Sequence, residues 1–526
     1  MSRAGGAHTS KGGGYADLSP INFLVRAACV FPDRQAIGEP RRDANYAELL
    51  DRAERLGGAL RARGVAPGDR VATVLPNTGA MLEAHFGVPG TGGVLVPLNY
   101  RLAGPELRFI LTHSGARCVI ADADLADRVE AALEGLDARP QVLWCTAEGD
   151  DDYERALASA DRIALQPGDE WSLLSINYTS GTTGAPKGVM YTHRGAALHS
   201  LGVITEAALS PSTRYLWTLP MFHCHGWAYT WAVTAMGGCH ICLRRAESGA
   251  AWDLIEGQAV THLCGAPTVL RMLLEGAPEG STRAPVRVFT GGSPPDPALL
   301  RRCDAQGWEV THLYGLTETY GPLAVCAWHP EWSDLDLEEQ ARLKSRQGVP
   351  TVVTEPLRVV DEGMHDVPAD GETLGEVVMR GNNVMIGYYR DEKTTREAFT
   401  DGWFHSGDLG VMHPDGYIEL RDRTKDIIIS GGENISSIEV EQALLAHPDV
   451  SEAAVVGVPD ERWGERPKGF VTLNPGAASS PEELIEFARG RLAGYKVPRA
   501  IDVLDVMPTT PTGKAQKFLL RERVRG

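Results

Sequence analysis

Between Tyr46 and Val65 the chain reads YAELLDRAERLGGALRARGV, with apolar residues three and four apart and Gly64 near its end. That spacing predicts an amphipathic helix stopped by a glycine. DRVATVLP then predicts a strand, TGAMLEAHFGVPGTGG a helix and VLVPLN a strand, and CVIAD and QVLWCT add two more strands. Strands separated by helical segments predict a parallel sheet covered by helices. The rhythm returns after Lys187, with a helix through RGAALHSLGVI, a strand in RYLWTLP, a helix in GWAYTWAVTAMGG and a strand in CHICLR. In the second of these helices Trp227 and Trp231, four residues apart, fall on one face. VRVFTGG predicts a strand entering a glycine turn, and EVTHLYGLTET a strand ending in hydroxyls and a carboxylate. Open parallel sheets bind ligands beyond the carboxyl ends of their strands. TGGSPP and YGLTETYGP are therefore where chemistry is expected.

From Leu357 the pattern shortens. LRVVD, GEVVMRG, GYIEL and DIIIS are brief strands joined by Asp/Gly turns, which predicts antiparallel β structure, a small barrel-like part. After RDRTKD come a strand, a glycine turn, the helix SIEVEQALLAHP, the strands EAAVVGVP and KGFVTL, the helix PEELIEFARGRLAGY and the strand IDVLDV, a compact α+β unit. The fold class is therefore α/β, in two unequal parts. A Gly-rich tail is expected over 1–20, a large domain over 21–422, and a small mobile C-terminal domain over 423–526.

Composition narrows the partners. A net charge of −18 argues against nucleic acid and anionic membrane, since both need basic patches. The start, MSRAGGAHTSKGGGYADLSP, lacks the apolar core of a signal peptide. Tyr215 to Leu243 carries no Lys, Arg, Asp or Glu, but its Pro220, histidines and Gly237-Gly238 read as a buried helix and core strand, so no membrane span is expected. Nine scattered cysteines suit reduced thiols and a cytoplasmic location. Cys239 and Cys242 have C-x-x-C spacing, but no second ligand pair follows, so a buried strand is favoured over a metal knuckle.

One stretch demands a ligand. YTSGTTGAPKG, Tyr178 to Gly188, packs hydroxyls, glycines and one lysine between apolar runs. Glycines let successive N–H groups approach anionic oxygens, while Ser180, Thr182, Thr183 and Lys187 add donors and charge. This suits a polyphosphate better than a solvated linker. It is not a Walker loop, because Lys187 lies between Pro186 and Gly188 rather than before Ser or Thr.

Five motifs, YTSGTTGAPKG, YGLTETYGP, GWFHSGDLG, RDRTKDIIISGGENIS and TTPTGKAQK, occur in one order. In kind, order and spacing they resemble the adenylate-forming superfamily, and PMFHCHGWAYTWAVTAMGGCHICLRR is most similar to its fatty-acyl and methylmercaptopropionyl-CoA ligase branch. The resemblance implies an ATP-, Mg²⁺- and coenzyme A-dependent ligase that converts a small-molecule carboxylic acid, whether medium-chain, aryl or polycyclic, to an acyl adenylate and then a thioester. It implies that Thr179, Ser180, Gly181, Thr182, Thr183, Gly184 and Lys187 hold the phosphates. Glu318 would bind Mg²⁺ and Thr317 an α-phosphate oxygen. Gly291, Gly292, Ser293, Tyr314 and Gly315 would frame the adenine, and Asp408 and Arg423 the ribose. Lys514, in the same light, would touch the acyl carboxylate, with Thr182, Glu318 and His223 as further catalytic groups. His223, His225, Gly226, Trp227, Tyr320, Gly321 and Pro322 would line the acid pocket, whose apolar character favours a hydrophobic acid. Lys425 stands at the hinge, and Ser430, Gly431, Gly432 and Glu433 would admit the thiol. The chain departs from the pattern at Asp422, Ser437 and Lys517, where many members have Gly, Pro and Arg. A ligase limited to one half-reaction, a carrier-protein ligase, a nucleotide sensor and an oxidoreductase luciferase stay open, as does a homodimer.

Overall fold

The computed structural model describes residues 14–39, 43–147, 151–179, 186–281, 285–292, 294–423, 426–430, 433–460, 463–510 and 515–525. A nine-stranded sheet is parallel from Gln35–Gly38 through Cys239–Ile241, Arg214–Leu216, His262–Gly265 and Val286–Thr290 to Trp308–Leu316. Gly321–Val325 and Val349–Pro350 extend it antiparallel beyond Trp308–Leu316. In a seven-stranded sheet, Gln141–Cys145, Cys118–Asp122, Arg70–Val74, Val94–Pro97 and Leu173–Thr179 run parallel. Lys187–Thr192 and Gly387–Tyr388 then add antiparallel strands at its edge. The expected βα rhythm accounts for the parallel cores of both sheets.

The helix Gly79–Gly90 packs against the strands Arg70–Val74 and Val94–Pro97 of the seven-stranded sheet. Every residue in it is buried, and it has no polar face to give water. The helix Tyr46–Ala62 packs on it, and Asn45 and Glu48 close a capping box at its start.

The antiparallel region is a five-stranded sheet of Arg358–Val360, Gly375–Met379, Phe399–Thr400, Trp403–Met412 and Ile418–Arg423. Arg423, which the sequence reading placed first in the small domain, is the last residue of this strand and lies opposite Asp408. A separate sheet of Ile428–Ser430, Glu433–Ile435, Val450–Asp460, Gly464–Leu473 and Ala500–Val503 carries the helices Ser437–Leu445 and Pro481–Arg489. It has its own apolar core, built on Ile428, Ile435, Leu444, Val455, Val471 and Leu484.

Two expectations need correction. The tail expected over 1–20 ends sooner. The Leu18 N–H donates to Glu170, and the Ser19 hydroxyl, buried, bonds His193 Nδ1 at 2.8 Å, so polar anchors fix the chain before the first helix, Ile21–Val30. The helix expected from Gly226 begins only at Tyr229 and ends at Met236. Cys224, His225, Gly226, Trp227 and Ala228 all have φ between 47° and 63°, a left-handed turn. Trp227 and Trp231 therefore do not share a helix face. Among the described residues no helix is long and apolar enough to cross a membrane. Cys239 and Cys242 are buried and unpaired, at and just after a core strand.

Candidate active site

The strands Leu173–Thr179 and Lys187–Thr192 form an antiparallel pair in which Thr179 faces Lys187. The glycine-rich connection is thus presented at a sheet end, although Ser180, Gly181, Thr182, Thr183 and Gly184 lie outside the described residues. Lys187 points its ammonium over the Tyr388 ring, 4.9 Å from the centroid. The same Tyr388 donates its phenol O–H to Glu318 Oε1 at 2.9 Å. Glu318 lies in the single turn Thr317–Thr319 that follows the strand Trp308–Leu316, where a parallel sheet is expected to bind ligand. The Thr317 carbonyl accepts from Tyr191 at 2.5 Å, and the Thr319 hydroxyl donates to the Gly321 carbonyl at 2.8 Å, so this turn is pinned from both sides.

A second polar centre is built on Tyr314, in the same strand, and Asp408, in the antiparallel sheet. Asp408 is buried and accepts at both oxygens, from the Tyr314 phenol at 2.7 Å and from Arg423 Nε at 3.0 Å. Burial, reinforced by the facing Asp408 carboxylate, pushes the Tyr314 phenol far above its ordinary pKa and keeps it a donor. A carboxylate so held can still accept further O–H donors, having about four lone-pair positions. Gly315 follows Tyr314 where the backbone of Gly321 passes so close that a Cβ would lie 2.0 Å from its carbonyl oxygen.

The left-handed turn supplies the third wall. Trp227 lies against Gly291 and Gly321, and a Cβ on either glycine would sit 3.2 Å or 2.9 Å from the indole. Gly321 also has φ +98°, which side-chain-bearing residues rarely adopt. Gly292, beyond Gly291, has φ +90°, and Pro322 is buried in the strand that follows Gly321. Holding non-glycine residues left-handed costs roughly 1–2 kcal/mol each. Such strain is characteristic of functional sites. His223, at the mouth of the turn, keeps a part-exposed edge, yet loss of solvation pushes its pKa down to about 4. It is neutral near pH 7.

Two further residues expected in the pocket lining, His225 and Tyr320, are fully buried. His225 is fully buried, bonds Ser175 Oγ at 2.7 Å and stacks on Tyr320 at 5.6 Å. Tyr320 is equally buried, in contact with Tyr191, His199 and Trp231. Both belong to an aromatic cluster with Tyr191 and Trp231, and neither has an exposed face. Gly226 is pressed against Trp217, where a Cβ would lie 2.2 Å from the ring. Tyr388, which joins Lys187 to Glu318, was missed in the sequence. No spacing rule connects GYYR to a glutamate seventy residues earlier.

On the small sheet, Ser430 ends its strand and pairs with Glu433. Gly431 and Gly432 between them, the Glu433 side chain, Lys425 (expected at the hinge), Ser293 and Lys514 lie outside the described residues. The three departures from the family pattern meet where the strand Ile418–Arg423 packs on the helix Ser437–Leu445. Asp422 accepts from the Ser437 N–H and from its hydroxyl at 3.0 Å, and Lys517 bonds the Ser437 hydroxyl and Glu441 Oε1, the latter at 2.7 Å.

Comparison with known proteins identifies the family. The family model described as AMP-binding enzyme matches residues 24–389, and the AMP-binding enzyme C-terminal domain matches 439–514. The chain is 44% identical to acetate–CoA ligase CCL3 of Humulus lupulus, over 97% of this chain and 95% of that one. It is 42% identical to the peroxisomal acetate/butyrate–CoA ligase AAE7 of Arabidopsis thaliana, with the same coverage. Among solved structures, ATP-bound MatB from Rhodopseudomonas palustris superposes with a TM-score of 0.85 at 29% identity, covering 96% of this chain and 98% of that one. Two matched domains, near-complete relatives that are CoA ligases and a shared fold place the chain in one family: it belongs to the AMP-binding enzymes of the adenylate-forming superfamily, in the acyl-CoA synthetase branch, and is an AMP-forming acid–CoA ligase.

Proposed function

We propose that the acid is a short, uncharged-tailed monocarboxylic acid, and that the three walls described above divide the adenylation work. The observation that carries the chain-length reading is Trp227, whose indole fills the space that Gly291 and Gly321 leave. An indole there leaves room for a few carbons and offers them an apolar surface without a countercharge. Acetate and butyrate appear in the names of the relatives, which supports the same class.

Lys187 and the loop before it hold the phosphates that leave as pyrophosphate. Asp408, set by Tyr314 and Arg423, accepts the ribose hydroxyls, and Gly291, Gly292 and Gly315 let the base lie against backbone. Mg²⁺ suits the donor set, because one carboxylate plus phosphate oxygens and water is an ordinary magnesium shell. Glu318 would hold it, with one oxygen on Tyr388 and the other carrying no hydrogen bond among the described residues. When bound, the ion offsets the repulsion between the acid and the phosphates. Neutral His223 borders the acid without placing a second charge there.

The small unit, from the hinge at Lys425 onward, would then bring Lys514 for adenylation and the Ser430–Glu433 turn for the thiol. All nine cysteines are unpaired, which suits a reducing compartment and a cytoplasmic location.

The test is pyrophosphate release and thioester formation over straight-chain acids from acetate to decanoate. The unmutated protein should prefer acetate to butyrate. Trp227→Ala should shift the preference to longer acids by about tenfold or more in relative kcat/KM. Preference for octanoate by the unmutated protein, or an unchanged profile in Trp227→Ala, defeats the short-acid reading.

A further inference from the structure

The groups read as the phosphate lysine and the metal carboxylate carry opposite charges and share a site. Left alone, such groups close into an ion pair that Mg·ATP would have to break. In this chain they do not pair. Tyr388 stands between them, its ring under the Lys187 ammonium and its O–H on Glu318 Oε1. Among the described residues no carboxylate lies within ion-pair distance of Lys187.

The backbone holds Tyr388 in this place. Gly387–Tyr388 pairs antiparallel with the strand that Lys187 begins, with Tyr388 opposite Val189. The Tyr389 N–H donates to the Gly188 carbonyl and the Met385 N–H to the Glu318 carbonyl, each at 2.7 Å. The Tyr388 N–H is taken by the Thr395 hydroxyl at 2.8 Å. One short segment is thus bonded to the residue after Lys187 and to Glu318 itself. The tyrosine is also buried, so neither its ring nor its hydroxyl is free to reorient.

We infer that Tyr388 is a positioning residue for adenylation, holding Lys187 and Glu318 apart and aimed before Mg·ATP arrives. This rests on reading Glu318 as the metal carboxylate and Lys187 as the phosphate lysine. The phenol occupies one oxygen of Glu318 and fixes its rotamer, leaving the other for the ion. The ring face takes the ammonium through its quadrupole, an attraction that an incoming phosphate can outbid without a carboxylate being uncovered.

Two variants separate the two contacts. Tyr388→Phe keeps the ring and deletes the hydroxyl, and Tyr388→Leu deletes both. Calorimetry measures ATP binding with and without Mg²⁺. In parallel, thioester formation from synthetic acyl adenylate and CoA reports a step that uses neither contact. Tyr388→Phe should bind magnesium-free ATP like the unmutated protein and need about tenfold more Mg²⁺ for tight binding, as when the outer partner of a metal ligand is lost. Tyr388→Leu should in addition weaken magnesium-free ATP. Both should keep thioester formation from the adenylate, and Tyr388→Phe added to Glu318→Gln should do no further harm to Mg²⁺ dependence. An unshifted Mg²⁺ dependence in Tyr388→Phe, where Glu318→Gln does shift it, overturns the proposal alone. If Glu318→Gln also leaves the dependence unmoved, the metal reading of Glu318 falls and takes the proposal with it. Equal loss of both half-reactions in Tyr388→Phe marks a merely structural role and overturns it too.

Discussion

Asp408 is held at both oxygens by groups of this chain, a phenol on one side and a guanidinium on the other. Asp408→Asn keeps the shape and removes the charge. A hydrogen bond to a charged group contributes about 1.5–3 kcal/mol. The variant should therefore raise KM for ATP by about 10- to 100-fold, with a smaller change at saturating ATP. It should also lower the melting temperature, since Arg423 loses its counterion. Pyrophosphate release against ATP concentration decides it, and an unmoved KM removes Asp408 from the nucleotide site. Both residues were legible in the sequence, each in its own motif. Their partnership was not, because it depends on a strand register that shifts between Leu409 and Gly410 before setting Asp408 opposite Arg423. Tyr388 was illegible for a similar reason, since GYYR is an ordinary strand pattern until its neighbours are known. The burial of His225 and Tyr320 was not legible either, because it follows from left-handed backbone at each.

At the level of elements, hydrophobic rhythm revealed the parallel cores and most of the small unit's strands and helices. It could not reveal the sign of φ, so the left-handed turn at Cys224–Ala228 read as the start of a helix. Nor could it show that Asp422, Ser437 and Lys517, far apart in sequence, form one cluster. Burial pushes the Asp422 and Glu441 carboxyls up, while Lys517, between them, is held above its usual range by those two acids. Lys517→Ala would leave both acids facing each other, at a cost of about 2–3 kcal/mol for a pair not wholly buried. Changing all three together, Asp422→Gly, Ser437→Pro and Lys517→Arg, replaces the cluster with the pattern common in the family. We expect the triple variant to be more stable than Lys517→Ala alone, and its effect to differ from the sum of the singles, as contacting residues require. Chemical unfolding of Lys517→Ala, the triple variant and its three single variants measures this. Strict additivity would show that the three positions act independently.

At the scale of the whole molecule, buried histidines dominate the response to acid. Burial pushes His85, His193, His223 and His312 down to about 4, and His199 and His240 to about 3. In the unfolded chain each would titrate near 6.5. Their folded pKa is depressed, so below pH 6.5 the unfolded state binds more protons and stability falls as pH falls. Each histidine removes about 1.4 kcal/mol per pH unit across that window. Several carboxyls, Glu39, Asp122 and Glu206 among them, are raised by burial and act in the opposite direction, but only from their own lower pKa range upward. Six histidines acting together exhaust the roughly 5–15 kcal/mol that holds a domain before pH 4 is reached. The large unit should therefore unfold cooperatively between about pH 4 and 6, taking up several protons. The small unit, whose described histidine is His447 alone, should outlast it. His199, with no hydrogen-bond partner at either ring nitrogen among the described residues, is the place to check the cause. His199→Phe should flatten the slope of stability against pH by close to one proton while preserving the melt at pH 8. Calorimetric melts stepped from pH 8 to pH 4 measure both. A melting temperature that stays level down to pH 4.5, or a slope that His199→Phe leaves unchanged, would show that these histidines are not what makes the fold acid-sensitive.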